Sequence, residues 1–542
     1  MKTLLRLRRL LKSPHELIVW IGLGLSAIAT LPVFGAERIQ FFYGPFEPTI
    51  LVEDLEAIAA AEDPETVDAP WLDQLTEAQL TTLQTFLNYR FEVDVVMMSQ
   101  ISYSDVGENL LSRVGQIIQT ESGLNGQKAL RSALIAAAAD NQGLSILNVI
   151  RQFPLDTIQL NWPLVQKVLA ENQAIFQEQV NVIADLQQQA QTSAAQSLST
   201  EDLSQMGTYG WQQETITFTN PNRSTPSVAD VYVPQQEAES IPVIVISHGV
   251  ASNLQTFAYL AKHLASHGYG VVVVDHTDTN TGKFDRFLTG LDGPPDPQSL
   301  LHRPADISAV LDTLEQQSVE ESNLRSLNLE SVGVLGHSLG GYTGLAVAGA
   351  TLQLPRLNQV CSETVAEQPL LNLSMLIQCR FDELPDNAQL AVQDDRVEAV
   401  IAMNPLTSHI FGPEGMASLT VPTMLMASTD DYFVPALPEQ IEPFQWLTMA
   451  EKYLVIVENG THFTPLDASE QVLPAPEFLM GPDSTLAQPA LKSLTLAFFD
   501  RHLRKQSYSE AYLTQSYLNR FGESPFQFSI VQQYSNSTHE PY

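Results

Sequence analysis

Hydrophobic patterning divides the chain into two textures. From about residue 37 to 165 apolar residues recur at helical spacing. Thr76-Glu77-Ala78-Gln79 has the form of a capping box, and Leu80, Leu83, Phe86 and Leu87 follow it at three- and four-residue intervals. Residues 109–118 and 128–139 repeat that character. The stretch 165–199 is rich in Gln and Ala and lacks Gly and Pro, which predicts a long helix. Its small, polar end at 194–204 predicts a domain boundary, with 166–206 as a helical linker. After about Gly207 the pattern changes to short β-branched runs alternating with amphipathic stretches. Residues 213–219 and 229–233 predict two opening strands. Near-continuous apolar runs at 243–247, 271–275, 332–336, 397–403, 424–427 and 453–457 fit strands buried on both faces of a parallel sheet. Helical segments at 257–266, 306–316 and 342–350 lie between them. Eight strands with interleaved helices predict a doubly wound α/β sheet, preceded by a mainly α-helical N-terminal domain. Ligands in such sheets sit beyond the carboxyl ends of the strands, so the residues just after each run are where chemistry is expected.

The first 36 residues stand apart. Lys2, Arg6, Arg8, Arg9 and Lys12 are followed by an apolar run and then by Gly35 and Ala36, the order of a secretory signal. The apolar part is also just long enough to span a bilayer of about 30 Å, so an uncleaved anchor, with the protein close to a membrane, is the alternative. The expectation is an exported protein, periplasmic or extracellular. Without that segment's five basic side chains and one acid, 22 basic and 61 acidic residues remain, a net charge of −39. So acidic a surface repels phosphate backbones and argues against nucleic acid as a partner. The two cysteines, Cys361 and Cys379, lie 18 residues apart, and in an oxidising compartment they are a disulfide candidate; two buried free thiols are the alternative.

The sharpest chemical signal follows the run 332–335: Gly336-His337-Ser338-Leu339-Gly340-Gly341. Here G-x-S-x-G leaves a predicted buried strand and enters a predicted helix, the context in which a serine is presented on a tight elbow above the sheet. A serine hydroxyl needs a base to take its proton and an acid to orient that base. In this arrangement the chain order is serine, acid, histidine. Asp431 follows the run 424–427 and His462 follows the run 453–457. Asp430 is the other acid in reach, and His409 the less favoured base. The oxyanion of a tetrahedral intermediate requires aimed N–H donors. Leu339, next after the serine, and Val250, in the loop Ser247-His248-Gly249-Val250 after the third strand, are the candidates. His248, His276 and His337 are candidates for lining the pocket. No cluster has metal-ligand spacing, and no organic cofactor is implied.

With Ser247-His248-Gly249, Asp275-His276, Arg303-Pro304-Ala305-Asp306, Gly336 to Gly341 and His462 in view, residues 207–504 resemble α/β hydrolases of the dienelactone-hydrolase and platelet-activating-factor acetylhydrolase-like group. The whole chain resembles cyanobacterial predicted hydrolases that join such a domain to an N-terminal domain of unknown function. The resemblance implies the α/β-hydrolase fold over 207–505 and esterase- or lipase-like activity on a small-molecule or lipid ester. Acetylhydrolases proper carry their acid after the sixth strand, where this chain has Ala402-Met403-Asn404; Asp431 is favoured for that reason.

Two insertions flank the expected mouth. Residues 276–298, with several Gly, Asp and Pro, predict a long loop. Residues 353–390 carry both cysteines and an apolar set that includes Leu354, Leu357, Leu370, Leu371, Leu373, Met375 and Leu376; they read either as a cap over the site or as a surface excursion with its own core. Residues 506–542 read as a C-terminal extension. The function expected is carboxylic-ester hydrolysis through an acyl-enzyme, with thioester, amide or peptide cleavage on the same triad and a non-catalytic binding scaffold as alternatives.

Overall fold

The computed structural model describes residues 35–41, 48–72, 75–192, 201–319, 324–362, 372–384, 392–467, 477–522 and 525–534. All but Gly35 and Ala36 of the expected signal, most of the small polar boundary segment, and Leu370 and Leu371 of the insertion lie outside these residues. The chain forms two compact units. One takes residues up to Val95 together with Val114–Trp162, and the other takes Val96–Arg113 and Pro163–Tyr542.

The smaller unit is mostly helical. Thr76 caps the helix Glu77–Asn88: its hydroxyl accepts from the Gln79 amide at 3.3 Å while the Gln79 side chain takes the Thr76 amide at 2.9 Å. Leu80 and Leu87 are buried with Leu55, Ile58 and Leu147, whereas Phe86, placed by spacing on the apolar face, is exposed. A four-stranded sheet joins Arg38–Phe41, Thr49–Leu51, Ile118–Thr120 and Thr157–Leu160. These strands, of three or four residues, are too short to show a two-residue period.

In the larger unit the eight expected strands are present: β1 (Trp211–Phe218), β2 (Ser227–Pro234), β3 (Ile241–Ser247), β4 (Gly270–Val274), β5 (Leu327–His337), β6 (Val397–Met403), β7 (Thr423–Ser428) and β8 (Lys452–Glu458). A ninth, β9 (Gln527–Val531), pairs antiparallel with β8. The order is β9-β8-β7-β6-β5-β3-β4-β2-β1, with β3 to β8 mutually parallel. This is the α/β-hydrolase sheet. Alternation within a strand feeds two cores: Val243 and Val245 face one helical layer, Ile244 and Ile246 the other. On the first side lie α1 (Trp162–Thr192), α4 (Ser299–Ser318) and α5 (Leu339–Val347). On the second lie α2 (Ala258–Ser266) and α6 (Gln488–His502).

Four expectations change. The stretch read as a linker is α1, and its Val182, Ile183, Leu186 and Ala190 are buried in the sheet's core. Residues 276–298 are not a continuous loop; α3 (Thr281–Leu288) lies within them, capped by the Asn280 side chain on the Lys283 amide at 2.9 Å. Its eight residues place only Phe284, Phe287 and Leu288 on an apolar face, too few to stand out over the longer span. The C-terminal stretch is not an appendage, since β9 closes the sheet edge. Within 353–390, Leu357, Phe381 and Leu384 join the sheet's core. Cys361 and Cys379 are disulfide-bonded, with Cα atoms 5.5 Å apart.

Where α1 passes the turn after β7, acids converge. Burial, then Glu178, then Glu439 push the Glu442 carboxyl up to about 7. A carboxyl raised in the folded state favours folding while it is protonated, and that contribution disappears as pH rises through about 7. Glu442→Gln should therefore raise the melting temperature more at pH 8 than at pH 5, by an amount equivalent to about 2 kcal/mol, as followed by thermal unfolding at the two pH values.

Candidate active site

β5 ends at His337 and α5 begins at Leu339, so Ser338 alone makes the turn between them, with φ 55° and ψ −122°. A side chain at φ > 0 is strained, and the strain persists because the surroundings fix it. The Ser338 amide donates to the Met403 carbonyl at 2.9 Å, and the Tyr342 amide donates to the Ser338 carbonyl at 3.1 Å. Neither flanking glycine could carry a side chain. A Cβ on Gly336 would stand 2.0 Å from the Gly340 carbonyl oxygen, and one on Gly340 would stand 2.0 Å from that of Ser247.

The loops after β7 and β8 bring the other two groups to this elbow. His462 Nε2 lies 2.9 Å from Ser338 Oγ, and His462 Nδ1 lies 2.6 Å from Asp431 Oδ2. The other carboxylate oxygen of Asp431 accepts the amides of Phe433 and Val434 at 2.9 and 2.8 Å. Asp431 is thus a buried carboxylate with one oxygen held by two backbone amides, so the imidazole contact of the other fixes the ring and the tautomer. Nδ1 carries the proton, and Nε2 is left to accept the serine hydroxyl. Asp430 takes no part: its carboxylate accepts from the Thr429 hydroxyl at 3.3 Å, and burial raises its proton affinity. Ser338 is met by His462, and the amide of the less favoured His409 donates to Gln378 Oε1 at 3.1 Å.

The oxyanion candidates stand beside the elbow. A Cβ on Gly249 would lie 3.3 Å from Ser338 Cβ, so the loop after β3 packs directly on Ser338. Among the described residues no protein acceptor takes the amide of Val250 or of Leu339, and both residues border one cavity. A negative oxygen formed at Ser338 can be met by both.

His248, His276 and His337 do not line the pocket. All three are buried in hydrogen bonds, and burial pushes each below the usual histidine range. His337 Nε2 donates to the His462 carbonyl at 2.9 Å and so holds the loop that carries His462. His248 Nδ1 donates to the Gly249 carbonyl at 2.7 Å, and its Nε2 accepts the His276 amide at 3.1 Å. His276 forms a second serine–histidine–aspartate row, with Ser247 Oγ at 2.9 Å and Asp306 Oδ2 at 2.8 Å. That row has no exposed member, and Asp306 is already engaged by Asn220 and by Arg223. Without access for a substrate it serves to support the loop after β3.

Three supporting side chains had no signal in the sequence that marked this role. Arg303, completely buried, donates to the His248 carbonyl, to Thr343 Oγ1 at 3.1 Å and to Thr279 Oγ1 at 2.5 Å. It ties the loop after β3 to the helix that follows Ser338; burial pushes it down to about 9, which leaves it charged at neutral pH. Asn404, where acetylhydrolases place an acid, accepts the Ser428 amide at 3.1 Å and reaches the Thr461 carbonyl at 3.4 Å, linking the acid and base strands. Gln179 of α1 donates to the Thr429 carbonyl at 3.0 Å and accepts the Leu437 amide at 3.3 Å, bracketing the Asp431 turn. A glutamine in a Gln-rich helix carries no mark that separates it from its neighbours.

Two family models match the chain. Residues 35–161 match the family described as alpha/beta hydrolase of unknown function (DUF1400), and residues 199–370 match the Chlorophyllase family. Over 142 residues the chain is 26% identical to chlorophyllase-1, chloroplastic, of Citrus unshiu, and 25% identical to chlorophyllase-1, chloroplastic, of Citrus sinensis. Each alignment covers 26% of this chain and 39% of the relative, so the chain spans about two fifths of the length of the curated relatives it matches. The chain thus carries α/β-hydrolase-like domains and is a distant homologue of chlorophyllases. The Chlorophyllase match takes in the oxyanion loop and the Ser338 elbow, and it ends before Asp431 and His462.

Replacing Arg303 by Met leaves the His248 carbonyl and the Thr279 and Thr343 hydroxyls without their buried donor. Stability should fall by about 3 kcal/mol, as read by denaturant unfolding, with a smaller loss in Arg303→Lys.

Proposed function

We propose that the protein is a serine hydrolase that cleaves carboxylic esters through an acyl-enzyme. The observation that carries this reading is the unbroken row from Ser338 Oγ through His462 to Asp431, at 2.9 and 2.6 Å, on the elbow of a hydrolase sheet. His462 Nε2 takes the hydroxyl proton as Ser338 Oγ attacks the ester carbonyl. The oxygen that gains charge is met by the amides of Val250 and Leu339. As the tetrahedral centre collapses, the C–O bond to the alcohol breaks and His462 returns its proton to the departing alkoxide. Water, deprotonated by the same imidazole, then attacks the acyl carbonyl, and Ser338 leaves with the proton. Asp431 keeps its charge throughout and stabilises the imidazolium. Likeness to the Chlorophyllase family, hydrolases of esterase type, supports ester over amide substrates. The resemblance to the dienelactone-hydrolase and acetylhydrolase-like group belongs to the same reading, with Asp431 in place of an acid after β6. Export is part of it: the basic-then-apolar opening argues for a signal, and the Cys361–Cys379 disulfide suits an oxidising compartment.

The test pairs p-nitrophenyl esters with the matching anilides. Ester hydrolysis should dominate, and Ser338→Ala should abolish both hydrolysis and fluorophosphonate labelling. Asp431→Asn should lower kcat by on the order of 10³–10⁴, because the wrong tautomer is then favoured, while Asp430→Asn stays within a few fold. A well-folded protein that neither labels nor turns over would turn the reading toward a binding scaffold. Equal loss in the two aspartate variants would break the assignment of the acid.

A further inference from the structure

Beside the two oxyanion amides lies a cavity of about 250 Å³. Its walls are apolar: Phe284, Phe287 and Leu288 of α3, Leu300 of α4, and Ile101 and Val106 from the helices Val95–Tyr103 and Asp105–Ile117. Three of the polar side chains at its edge, Ser104, Thr279 and Arg380, are engaged within the protein. Ser104 Oγ donates to the Ile101 carbonyl at 2.7 Å, and Thr279 Oγ1 accepts from Arg303. Arg380 donates to the Pro295 carbonyl at 2.7 Å and pairs with Asp105 at 3.6 Å and Glu383 at 3.3 Å. The chamber therefore offers a ligand almost no hydrogen bonds, and an alkyl chain is the group that gains by entering it.

Which end of an ester enters is set by the chemistry at Ser338, and this step rests on the esterase reading above. The leaving alcohol must lie within reach of His462 Nε2, which protonates it. The chamber borders Val250 and Leu339, and neither His462, Phe463 nor Asp431 lines it. An ester whose carbonyl oxygen faces those amides, and whose alcohol faces the imidazole, directs its acyl chain into the chamber. We infer that this chamber is the acyl-binding site, that it selects medium-length straight acyl chains, and that Ile101 and Val106, from outside the sheet region, set the length. At roughly 30 Å³ for a group the size of a water molecule, the volume holds about eight carbons. The N-terminal helices are held where they are needed. Asp105 is gripped by Arg380, and a Cβ on Gly290, just after α3, would lie 3.4 Å from Val96 and 3.2 Å from Gln100.

The experiment uses the full chain with p-nitrophenyl acetate, octanoate and palmitate, and with acetate esters of short and long alcohols. Wild type should prefer octanoate. Ile101→Trp and Val106→Trp, which fill the chamber from partly exposed positions, should each lower the octanoate-to-acetate ratio of kcat/KM by on the order of 100-fold. The preference among alcohols should stay fixed. Ile101→Ala should move the optimum to longer chains. Because the readout is a ratio within one sample, a lower folded fraction does not mimic it. An unmoved ratio in both Trp variants, or a shift among alcohols instead, overturns the chamber assignment while leaving the esterase reading intact. A wild type that hydrolyses no ester and takes no fluorophosphonate overturns the esterase reading itself.

Discussion

Everything at the site depends on a backbone conformation that the chain avoids elsewhere. Five non-glycine residues among those described have positive φ, and four of them, Ala251, Ser338, Asn404 and Asn459, follow β3, β5, β6 and β8. Each such position costs on the order of 1–3 kcal/mol, and it survives only where neighbours hold it. At Ser338 the holding is done by the sheet. The Met403 carbonyl takes the serine amide, and Gly336 and Gly340 let two backbones approach closer than any side chain allows. The strain lifts the hydroxyl out of the strand's plane toward His462. A relaxed turn at that point would lower the cost of folding and lose the imidazole.

The same logic explains why so many ionisable groups are buried around the oxyanion loop. A loop whose Val250 amide has no acceptor among the described residues does not satisfy its own backbone, so its other polar groups need partners from elsewhere. Arg303 supplies donors to the His248 carbonyl, His248 fills the Gly249 carbonyl, and Asp306 with His276 fixes Ser247. Burying this many polar groups is expensive unless all are paired. Here the aspartate has two cationic or amide partners besides the imidazole, and the arginine has three oxygen acceptors within 3.1 Å or less. The result is a rigid loop whose amide at Val250 stays available. That look-alike row of serine, histidine and aspartate owes its inertness to the same feature, since a cluster sealed well enough to support a loop admits no substrate.

The β-runs were legible because a strand buried on both faces must be apolar almost throughout, as at 243–247 and 271–275. The catalytic candidates were legible because the fold puts chemistry just after those runs, and Ser338, Asp431 and His462 stand there in chain order. What was not legible shares a physical cause. His248, His276 and His337 look like pocket residues by position, but their role depends on partners distant in sequence: the His462 carbonyl lies 125 residues from His337. Gln179 contacts the acid turn across 250 residues. Helix α3 and strand β9 lack the unbroken apolar run that marks the central strands: α3 has only Phe284, Phe287 and Leu288, and β9 interleaves Gln527 and Ser529 with apolar residues. The placing of Ile101 and Val106 beside the oxyanion loop is a tertiary fact with no local signature.

The chamber wall shows how sequence chemistry outside the sheet can still be decisive. The segment Pro294-Pro295-Asp296-Pro297 has lost three of its amide donors to proline, so it cannot brace itself by backbone hydrogen bonds. The Pro295 carbonyl is instead taken by Arg380. Arg380 follows Cys379 directly, and Cys379 is tied to Cys361 in the helix Leu354–Ser362. A long, rotamer-rich side chain makes a firm brace only when its own backbone is fixed, because the entropy of ordering it is otherwise unrecovered. The disulfide supplies that fixed point. The chamber wall at Pro295 is thus braced through a side chain whose backbone neighbour carries the covalent link to Cys361.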